Sequence, residues 1–331
     1  MNLQGSVAKR DLVFARVGKG SLHSRWAPTA TTPRNWDLQL STFLDETESF
    51  TQGDFPLSVD KGTKWDSIVR YFSKNPDLLD TYDYIYFPDD DLQFETGDVG
   101  RVFDLCRKND LYMAQPALQP ESYYWHPILV RAPGFKLRFV NYIEPMAPCI
   151  KASYLRDLLP YIERHFTGWG FDHIWAVLMR NPAYRAAILD ETPVVHTRPF
   201  QTGAIYSTFE KMNIDPLTER KKILSAHKGQ IPGIVVYGGQ LSGGHAVSGP
   251  VARLMNGVSM IMGAYRAREG ALHLRTGIGS LLRAVTMVGY QPEQIRYQVA
   301  ETPAPKTSDA MSLGIAAVLP VPPATNHEQH G

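Results

Sequence analysis

Hydrophobic positions along the first part of the chain follow two periodicities. A largely apolar segment at residues 11–17, a continuous apolar run at 84–87, and apolar residues at alternate positions over 36–43 predict strands. Apolar residues spaced three and four apart predict helices that begin after Thr63 and near Val99. Strands that alternate with amphipathic helices predict an α/β fold, in which helices cover both faces of a mixed, mostly parallel sheet.

Further elements continue this pattern toward the middle of the chain. The aromatic residues between 123 and 142 predict strands joined by a hairpin. A helix capped by Ser153 follows, a second helix is expected to begin at Asp172, and an apolar strand ends at His196.

The pattern changes beyond residue 209. Pro216 starts a charged helix, and residues 238–249 contain enough glycine for a linker or a mobile lid. Residues 251–289 predict two more helices. The chain is therefore predicted to have three parts: an α/β domain over residues 1–215, a mainly helical extension over 216–300 and a disordered tail over 301–331.

Composition limits the classes of protein and ligand. The 331 residues include 34 basic and 33 acidic side chains, so a general attraction to nucleic acid is not expected. Cys106 and Cys149 lack the spacing of metal ligands and indicate a reducing compartment. Residues 1–10 lack the apolar core of a signal peptide, and no apolar run reaches the ~18 residues that a membrane span needs. We expect a cytoplasmic protein, or one that lies peripherally on the inner face of a membrane.

Three adjacent carboxylates follow the apolar run at residues 84–87. Pro88 ends the strand because it has no N–H to donate to the sheet. Asp89, Asp90 and Asp91 come directly after it. Such carboxylates repel one another, and a hard divalent cation such as Mn²⁺ or Mg²⁺ would neutralise them. A solvated acidic turn explains the same residues without a ligand.

Cations and glycines stand where a nucleotide could be held. The first predicted strand, residues 11–17, carries Arg16 near its end. A loop that starts at Gly18 follows, although its spacing matches neither a P-loop nor a dinucleotide-binding motif. Lys64 lies at the start of the helix capped by Thr63, where anions bind favourably.

Two later positions carry candidate chemistry. Glycines on both sides of Trp169 predict a tightly turned or mobile loop that ends at Asp172. In a functional interpretation Trp169 supports a sugar ring and Asp172 takes a proton from an attacking hydroxyl, while in a structural one Trp169 lies in the core and Asp172 caps a helix. His196 follows two valines and is either a structural residue or a ligand of a divalent cation.

Five short motifs, in this order, resemble those of the family called domain of unknown function 707, which is glycosyltransferase-like and has a GT-A fold. The resemblance covers roughly residues 11–203. The five motifs read Tyr-Asp-Tyr-Ile-Tyr-Phe-Pro-Asp-Asp-Asp-Leu, Ala-Gln-Pro-Ala-Leu, Ile-Glu-Pro-Met-Ala-Pro, Gly-Trp-Gly-Phe-Asp and Val-Val-His. The ordered set is more specific than any one of its members.

The resemblance implies a role for each candidate residue. It implies that Asp89, Asp91 and His196 bind a divalent metal on the diphosphate of a nucleotide sugar, with a UDP-sugar as the expected donor. It places the catalytic base at Asp172, where this chain has one acidic residue and the longer motif of inverting galactosyltransferases has at least two. The remaining contacts are expected from Arg16, Gly18, Lys64, Asp90 and Gln115 with the donor, and from Glu144, Trp169 and Gly170 with the acceptor.

The combined prediction is a metal-dependent, inverting glycosyltransferase that acts on a saccharide or a lipid-linked acceptor. Arginines interleaved with apolar residues over 251–289 indicate helices that lie on an anionic membrane surface, pack against a second subunit of a homo-oligomer, or simply face solvent. Two alternative functions use the same site residues: a metal-dependent phosphoesterase and a non-catalytic carbohydrate-binding protein.

Overall fold

The computed structural model describes residues 11–26, 34–45, 50, 53–94, 99–165, 167–179, 185–200, 202, 209, 214–229 and 233–292. Its strands are β1 (Asp11–Val17), β2 (Trp36–Thr42), β3 (Ser58–Val59), β4 (Tyr84–Tyr86), β5 (Leu92–Phe94), β6 (Met113–Leu118), β7 (Phe135–Val140), β8 (Cys149–Lys151), β9 (Ala186–His196), β10 (Val236–Leu241) and β11 (Ala246–Ser248). Its helices are α1 (Lys64–Lys74), α2 (Leu78–Thr81), α3 (Val99–Lys108), α4 (Ala152–Ile162), α5 (Pro216–Ala226), α6 (Gly249–Gly263) and α7 (Gly270–Thr286).

The described strands form one mixed sheet in the order β11, β10, β7, β9, β6, β8, β4, β1, β2, β3, and β5 pairs with β9 outside this path. Strands β4, β1, β2 and β3 are parallel neighbours, as are β6 and β9. The other pairings are antiparallel. The α/β fold with a mixed sheet is confirmed, although the sheet is less parallel than expected. Antiparallel strands can be joined by short returns that parallel strands cannot use, and β11 follows β10 in this way.

Burial along the central strands shows where the core lies. All residues of β6 are buried, and in β1 all are buried except Arg16, which is half-buried. Because successive side chains of a strand point to opposite faces, both faces of the sheet are covered. Helix α1 presents Trp65, Ile68 and Phe72 to this core, and Thr63 Oγ1 accepts the N–H of Asp66 at 3.3 Å. The predicted helix and its cap are therefore confirmed.

The glycine-rich stretch at residues 238–249 differs from the prediction. Instead of a linker or a lid, it forms most of the β10–β11 hairpin, and β10 pairs with β7. A Cβ on Gly239 would lie 2.8 Å from the carbonyl oxygen of Leu137. Glycine is present here because two strands approach closely.

Three other local predictions differ from the structure. No helix begins at Asp172, which lies in a single 3-10 turn, Phe171–His173. Helix α4 begins after Lys151, and its start is not capped by the side chain of Ser153. Between residues 123 and 142 the structure has a 3-10 turn and β7, whose partners β9 and β10 are distant in the chain. Local sequence cannot reveal such distant partners.

The segment after residue 215 adds to the same sheet and the same core. Buried Arg138 on β7 pairs with Asp190 on β9 at 2.8 Å and donates to Asn256 on α6 at 2.6 Å. The described residues fall within one compact unit, Met1–Arg296. The division after residue 215 stays a prediction, and the tail predicted over 301–331 lies outside the described residues. Among the described helices, none combines the length and the apolar character required to cross a membrane.

Candidate active site

The ends of parallel strands bring the acidic residues to one edge of the sheet. β1 and β4 run in parallel, and Arg16 forms an isolated backbone bridge with Asp89 just beyond β4. The chain then turns into β5, which pairs antiparallel with the end of β9, so that Leu92 lies opposite His196. This return places Asp91 beside His196.

Asp91 and His196 form a buried ion pair. His196 Nε2 lies 3.2 Å from Asp91 Oδ2, and His196 Nδ1 lies 2.8 Å from the carbonyl oxygen of Tyr123. Burial opposes charge on both groups, but their hydrogen bond and opposite charges prevail, so the pKa of His196 is raised and the pKa of Asp91 is lowered. Asp91 Oδ1 is buried without a hydrogen-bond partner in the described part of the chain.

A divalent cation that displaces the Nε2 proton of His196 would find two ligands in this pair. Asp91 Oδ1 lacks a partner, and the Nδ1 contact of His196 with the Tyr123 carbonyl is typical of metal-binding imidazoles. The third predicted ligand, Asp89, instead accepts from Lys64 Nζ at 2.6 Å. Within the described ranges, no group of three or more His, Cys, Asp or Glu side chains could hold a metal ion. The residues present fit a cation held through two side chains and completed by oxygen atoms of a ligand and water.

Lys64 is occupied by groups of the protein. Its Nζ lies 2.6 Å from Asp89 Oδ1, and it also lies 2.8 to 3.1 Å from the carbonyl oxygens of Phe87, Pro145 and Met146. An ammonium group has three donors, so these acceptors use all of them. Lys64 joins the start of α1 to the end of β4, and it does not present an open charge to a diphosphate.

The guanidinium of Arg16, on β1, is likewise occupied by groups of the protein, two of which lie in the loop before α1. It donates to Ser41 Oγ at 3.1 Å and to the carbonyl oxygens of Asp60 and Gly62 at 2.6 and 2.5 Å. Burial lowers the pKa of Arg16 to about 10, so the side chain is still charged at neutral pH. Both predicted cationic donor contacts therefore hold loops in place around the acidic residues.

Asp90 connects two loops at the same edge of the sheet. Its Oδ2 accepts the N–H of Gly18 at 2.7 Å, and its Oδ1 accepts from Arg198 at 3.0 Å. Arg198 also donates to the carbonyl oxygen of Gly20 at 2.7 Å, and its side chain is 40% exposed. Arg198 is therefore a partly open cation next to the acidic residues.

Gln115 and Glu144 form a second buried polar pair. The N–H of Glu144 donates to Gln115 Oε1 at 2.7 Å, and the two residues are 5% or less exposed. Gln115 Nε2 and Glu144 Oε2 find no hydrogen-bond partner among the described residues. Burial, aided by the negative charge of Asp172, raises the pKa of Glu144 to about 8, and the charge of His196 opposes this shift. Glu144 is thus in electrostatic contact with both His196 and Asp172.

Asp172 is held by a tyrosine. The hydroxyl of Tyr142 donates to Asp172 Oδ2 at 2.8 Å, while Asp172 Oδ1 is buried and has no hydrogen-bond partner within the described ranges. Burial raises the pKa of Asp172, and the hydrogen bond from Tyr142 opposes this shift. A carboxylate with a raised pKa is a stronger general base, and its second oxygen is available for a proton.

Two imidazoles and a guanidinium surround Tyr142 and Asp172. The rings of His126 and His173 lie 4.7 and 5.3 Å from the ring of Tyr142, measured between centroids. Burial lowers the pKa of each histidine to about 4, so both are neutral at pH 7. Arg220 on α5 lies 3.1 Å from His173 Nε2 and supplies positive charge near Asp172.

The loop before Asp172 depends on both of its glycines. Gly168 and Gly170 have φ values of +78° and +104°, which side chains other than glycine rarely adopt. A Cβ on Gly168 would lie 2.5 Å from Trp65 Cδ1 on α1, and one on Gly170 would lie 3.3 Å from Arg220 Cα. The loop is therefore turned tightly onto α1 and α5, and Trp169 between the glycines is half-buried.

Sequence reasoning missed Arg198, Tyr142 and Arg220. Arg198 bonds to a residue 108 positions earlier, and Tyr142 bonds to one 30 positions later. A weak signal was present, because Arg198 is two residues after His196 and Tyr142 is two residues before Glu144. Residues two apart on an extended segment share a face, but that rule does not name their partners.

Comparisons with known proteins match this chain to one protein family and to several solved structures. The model of a family described as "Protein of unknown function (DUF707)" matches residues 45–228. A search of curated proteins found no match. Similar solved structures are GalNAc-T7 with UDP, GalNAc and Mn²⁺ (TM-score 0.46, 10% identity, 66% of this chain and 48% of that one) and S. aureus TarS 1-349 with UDP-GlcNAc (TM-score 0.40, 9% identity, 83% and 81%). A197 from STIV is a third (TM-score 0.32, 13% identity, 57% and 86%). The chain thus spans about half the length of the GalNAc-T7 chain.

Proposed function

The chain belongs to the DUF707 family of proteins of unknown function, and for this member we propose the activity of a metal-dependent, GT-A-type glycosyltransferase. It would move a sugar from a nucleoside-diphosphate sugar to a hydroxyl group of a saccharide or lipid-linked acceptor. One observation carries the proposal. Four of the candidate-site residues each have a buried polar atom that lacks a hydrogen-bond partner among the described residues: Asp91 Oδ1, Gln115 Nε2, Glu144 Oε2 and Asp172 Oδ1.

These atoms match the hydrogen bonds that a sugar makes. Folded proteins leave few buried polar atoms unpaired, because each costs about 1–3 kcal/mol. The set combines an amide donor on Gln115 with carboxyl oxygens on Asp91, Glu144 and Asp172. A hydroxyl group both donates and accepts, so a ligand with several hydroxyl groups suits this mixture.

The donor side of the site lies at the edge of the sheet beside Asp91 and His196. A divalent cation held by these two residues and by oxygen atoms of the ligand and water would supply the charge that neutralises a departing diphosphate. Arg198 provides a cation of the chain itself, and its hydrogen bond to Asp90 orients it. A UDP-sugar is the first donor to test.

The acceptor side is assigned to Asp172 and its surroundings. Tyr142 holds Oδ2 of Asp172, which leaves Oδ1 to receive a proton. The acceptor oxygen bonds to the anomeric carbon, the bond from that carbon to the diphosphate breaks with its electron pair, and the acceptor proton moves to Asp172. This single displacement inverts the configuration at the anomeric carbon. Trp169 and Gly170, in the loop before Asp172, would contact the acceptor ring.

Thermal unfolding with a panel of nucleoside diphosphates, with and without Mn²⁺ or Mg²⁺, tests the donor side. One nucleotide is expected to raise the unfolding temperature when the cation is present, since a ligand at 100 times its Kd stabilises by about 2.7 kcal/mol. Asp91→Asn should reduce this shift. A cation-dependent shift that Asp91→Asn leaves unchanged would place the cation elsewhere, and a complete lack of shift would contradict nucleotide binding.

Sugar transfer by Asp172→Asn tests the acceptor side. Removal of a general base is expected to lower turnover about 10²- to 10⁴-fold, and the nucleotide-induced shift should stay unchanged. Asp80→Asn is the matched control, because its side chain is 75% exposed in a surface ion pair with Arg156. Transfer at the wild-type rate by Asp172→Asn would remove the assigned base. Release of phosphate from simple esters without an acceptor would instead favour a phosphoesterase.

A further inference from the structure

The exposed face of α6 is apolar. Within residues 249–265 the exposed positions are Val251, Leu254, Val258, Met262 and Tyr265, whose exposed fractions range from 41% to 77%. The polar side chains of the same helix point inward. A helix on a water-exposed surface normally has the opposite arrangement. This arrangement, with apolar side chains outside and polar side chains inside, indicates that a binding partner covers the outer face of α6.

The inward polar side chains of α6 form hydrogen bonds with the core. Arg253 is 1% exposed and donates to the carbonyl oxygen of Val236 at 3.1 Å. Asn256, also 1% exposed, accepts from Arg138 at 2.6 Å. These contacts fix the rotation of α6 on the sheet, so its apolar positions cannot turn inward.

Helix α7 carries a matching stripe. Leu274, Ile278, Leu282 and Val285 are spaced four, four and three apart and are 45%, 48%, 64% and 77% exposed. The two helices pack closely, because a Cβ on Gly257 would lie 2.9 Å from the carbonyl oxygen of Gly277. Their stripes therefore form one surface, called here the hairpin face and consisting of Val251, Leu254, Val258, Met262, Tyr265, Leu274, Ile278, Leu282 and Val285.

The charge around the hairpin face indicates what kind of partner covers it. Between residues 249 and 292 the sequence has four arginines besides the buried Arg253, and one acidic residue, Glu269. Arg266 and Arg275 are exposed, and the guanidinium of Arg266 lies over the ring of Tyr265, 5.0 Å from its centroid. A second copy docked through a two-fold axis would bring this cationic surface against itself with few carboxylates to pair. A bilayer with anionic headgroups supplies both an apolar layer and the opposite charge.

We propose that α6 and α7 lie flat on an anionic phospholipid bilayer through the hairpin face. Apolar side chains of the hairpin face enter the boundary between headgroups and acyl chains, and the exposed Arg266 and Arg275 contact lipid phosphates. The surface lies on elements other than those that carry the candidate active site, so this docking does not depend on the proposed reaction.

Flotation of the full chain with vesicles tests the proposal. Binding is expected to vesicles of phosphatidylcholine mixed with phosphatidylserine, to be much weaker with phosphatidylcholine alone, and to decrease with salt. Arg266→Gln combined with Arg275→Gln should weaken binding about 25-fold, about fivefold for each lost charge. Leu254→Asp and Ile278→Asp should each abolish it. Leu217→Asp on α5, at a position 44% exposed outside the hairpin face, is the matched control and should bind like wild type.

Three outcomes would overturn the proposal. They are lack of binding to anionic vesicles, binding that Leu254→Asp leaves unchanged, and dimerisation in sedimentation equilibrium that Leu254→Asp removes, which would assign the hairpin face to a second copy. Circular dichroism establishes that each variant is folded, and Leu282→Ser replaces any aspartate variant that is not. Nucleotide binding measured without vesicles is unaffected by these changes, so failure here is separate from failure of the proposed reaction.

Discussion

Single residues differ in how their charge is compensated at the candidate site. Each of the three aspartates after β4 has a cationic partner, at N–O distances of 2.6, 3.0 and 3.2 Å. Glu144 has another environment, because burial and the charge of Asp172 raise its pKa to about 8. Its carboxyl group therefore keeps its proton at pH 7 and can donate a hydrogen bond. A neutral acid next to a carboxylate base is an arrangement suited to binding hydroxyl groups.

Glu144→Gln is expected to change how stability depends on pH. A folded-state pKa above the unfolded value means that the folded protein binds more protons, so stability falls as pH rises from about 4.5 to about 8. Glutamine lacks this titration. The variant should therefore gain stability relative to wild type between pH 5 and pH 8, on the order of 3 kcal/mol, in urea unfolding measured at both values.

Glu163→Gln provides the comparison for this titration. Glu163 is exposed at the end of α4, so its replacement should leave the difference in unfolding free energy between pH 5 and pH 8 near the wild-type value. Equal pH profiles for wild type and Glu144→Gln would show that Glu144 is ionised in the folded protein.

At the scale of elements, the loop at residues 167–170 shows how backbone conformation positions chemistry. Two left-handed glycines turn the chain onto α1 and α5, and the 3-10 turn that follows presents Asp172 to Tyr142. An ordinary α-helix starting at Asp172 would leave this carboxylate at a helix end. The observed turn instead buries it against an aromatic cluster, which is the cause of its raised pKa.

Gly168→Ala is expected to disrupt this loop. The added Cβ would lie 2.5 Å from Trp65 Cδ1 at a φ of +78°, so both contact and backbone strain oppose it. We expect a loss of about 2–4 kcal/mol in unfolding free energy and a large fall in sugar transfer.

Gly134→Ala separates the effect of backbone strain from the effect of the contact with Trp65. Gly134 has a φ of +94°, but a Cβ there would have no atom within 4 Å. Backbone strain alone should therefore lower the unfolding free energy of this variant, by about 1 kcal/mol. Equal losses in the two variants would show that the contact with Trp65 is unimportant.

At the scale of the whole molecule, the chain after residue 215 completes the structure that carries the site. β10 extends the sheet beyond β7, and Asn256 on α6 completes the buried contacts of Arg138 with Asp190. Burying a guanidinium is costly unless its hydrogen bonds are satisfied, so these elements depend on one another.

A chain that ends at residue 215 is therefore expected not to fold. Full-length protein should unfold in urea with coincident transitions in far-ultraviolet circular dichroism and tryptophan fluorescence, while the 1–215 chain should lack a cooperative transition. A chain that ends at residue 292 keeps all described elements and should behave like the full protein. A stable, cooperative 1–215 chain would establish the predicted division into domains.

Periodicity and local chemistry were sufficient for β1, α1 with its Thr63 cap, and the acidic strand end at Asp89, because each depends on residues a few positions apart. Partners far apart in sequence required the folded chain. In the folded chain Lys64 neutralises Asp89, and Arg198 forms a hydrogen bond with Asp90. The glycines of β10 allow the neighbouring strand β7 to approach closely. Such pairings depend on strand order and on close approach in space, and a pattern read along one chain contains neither.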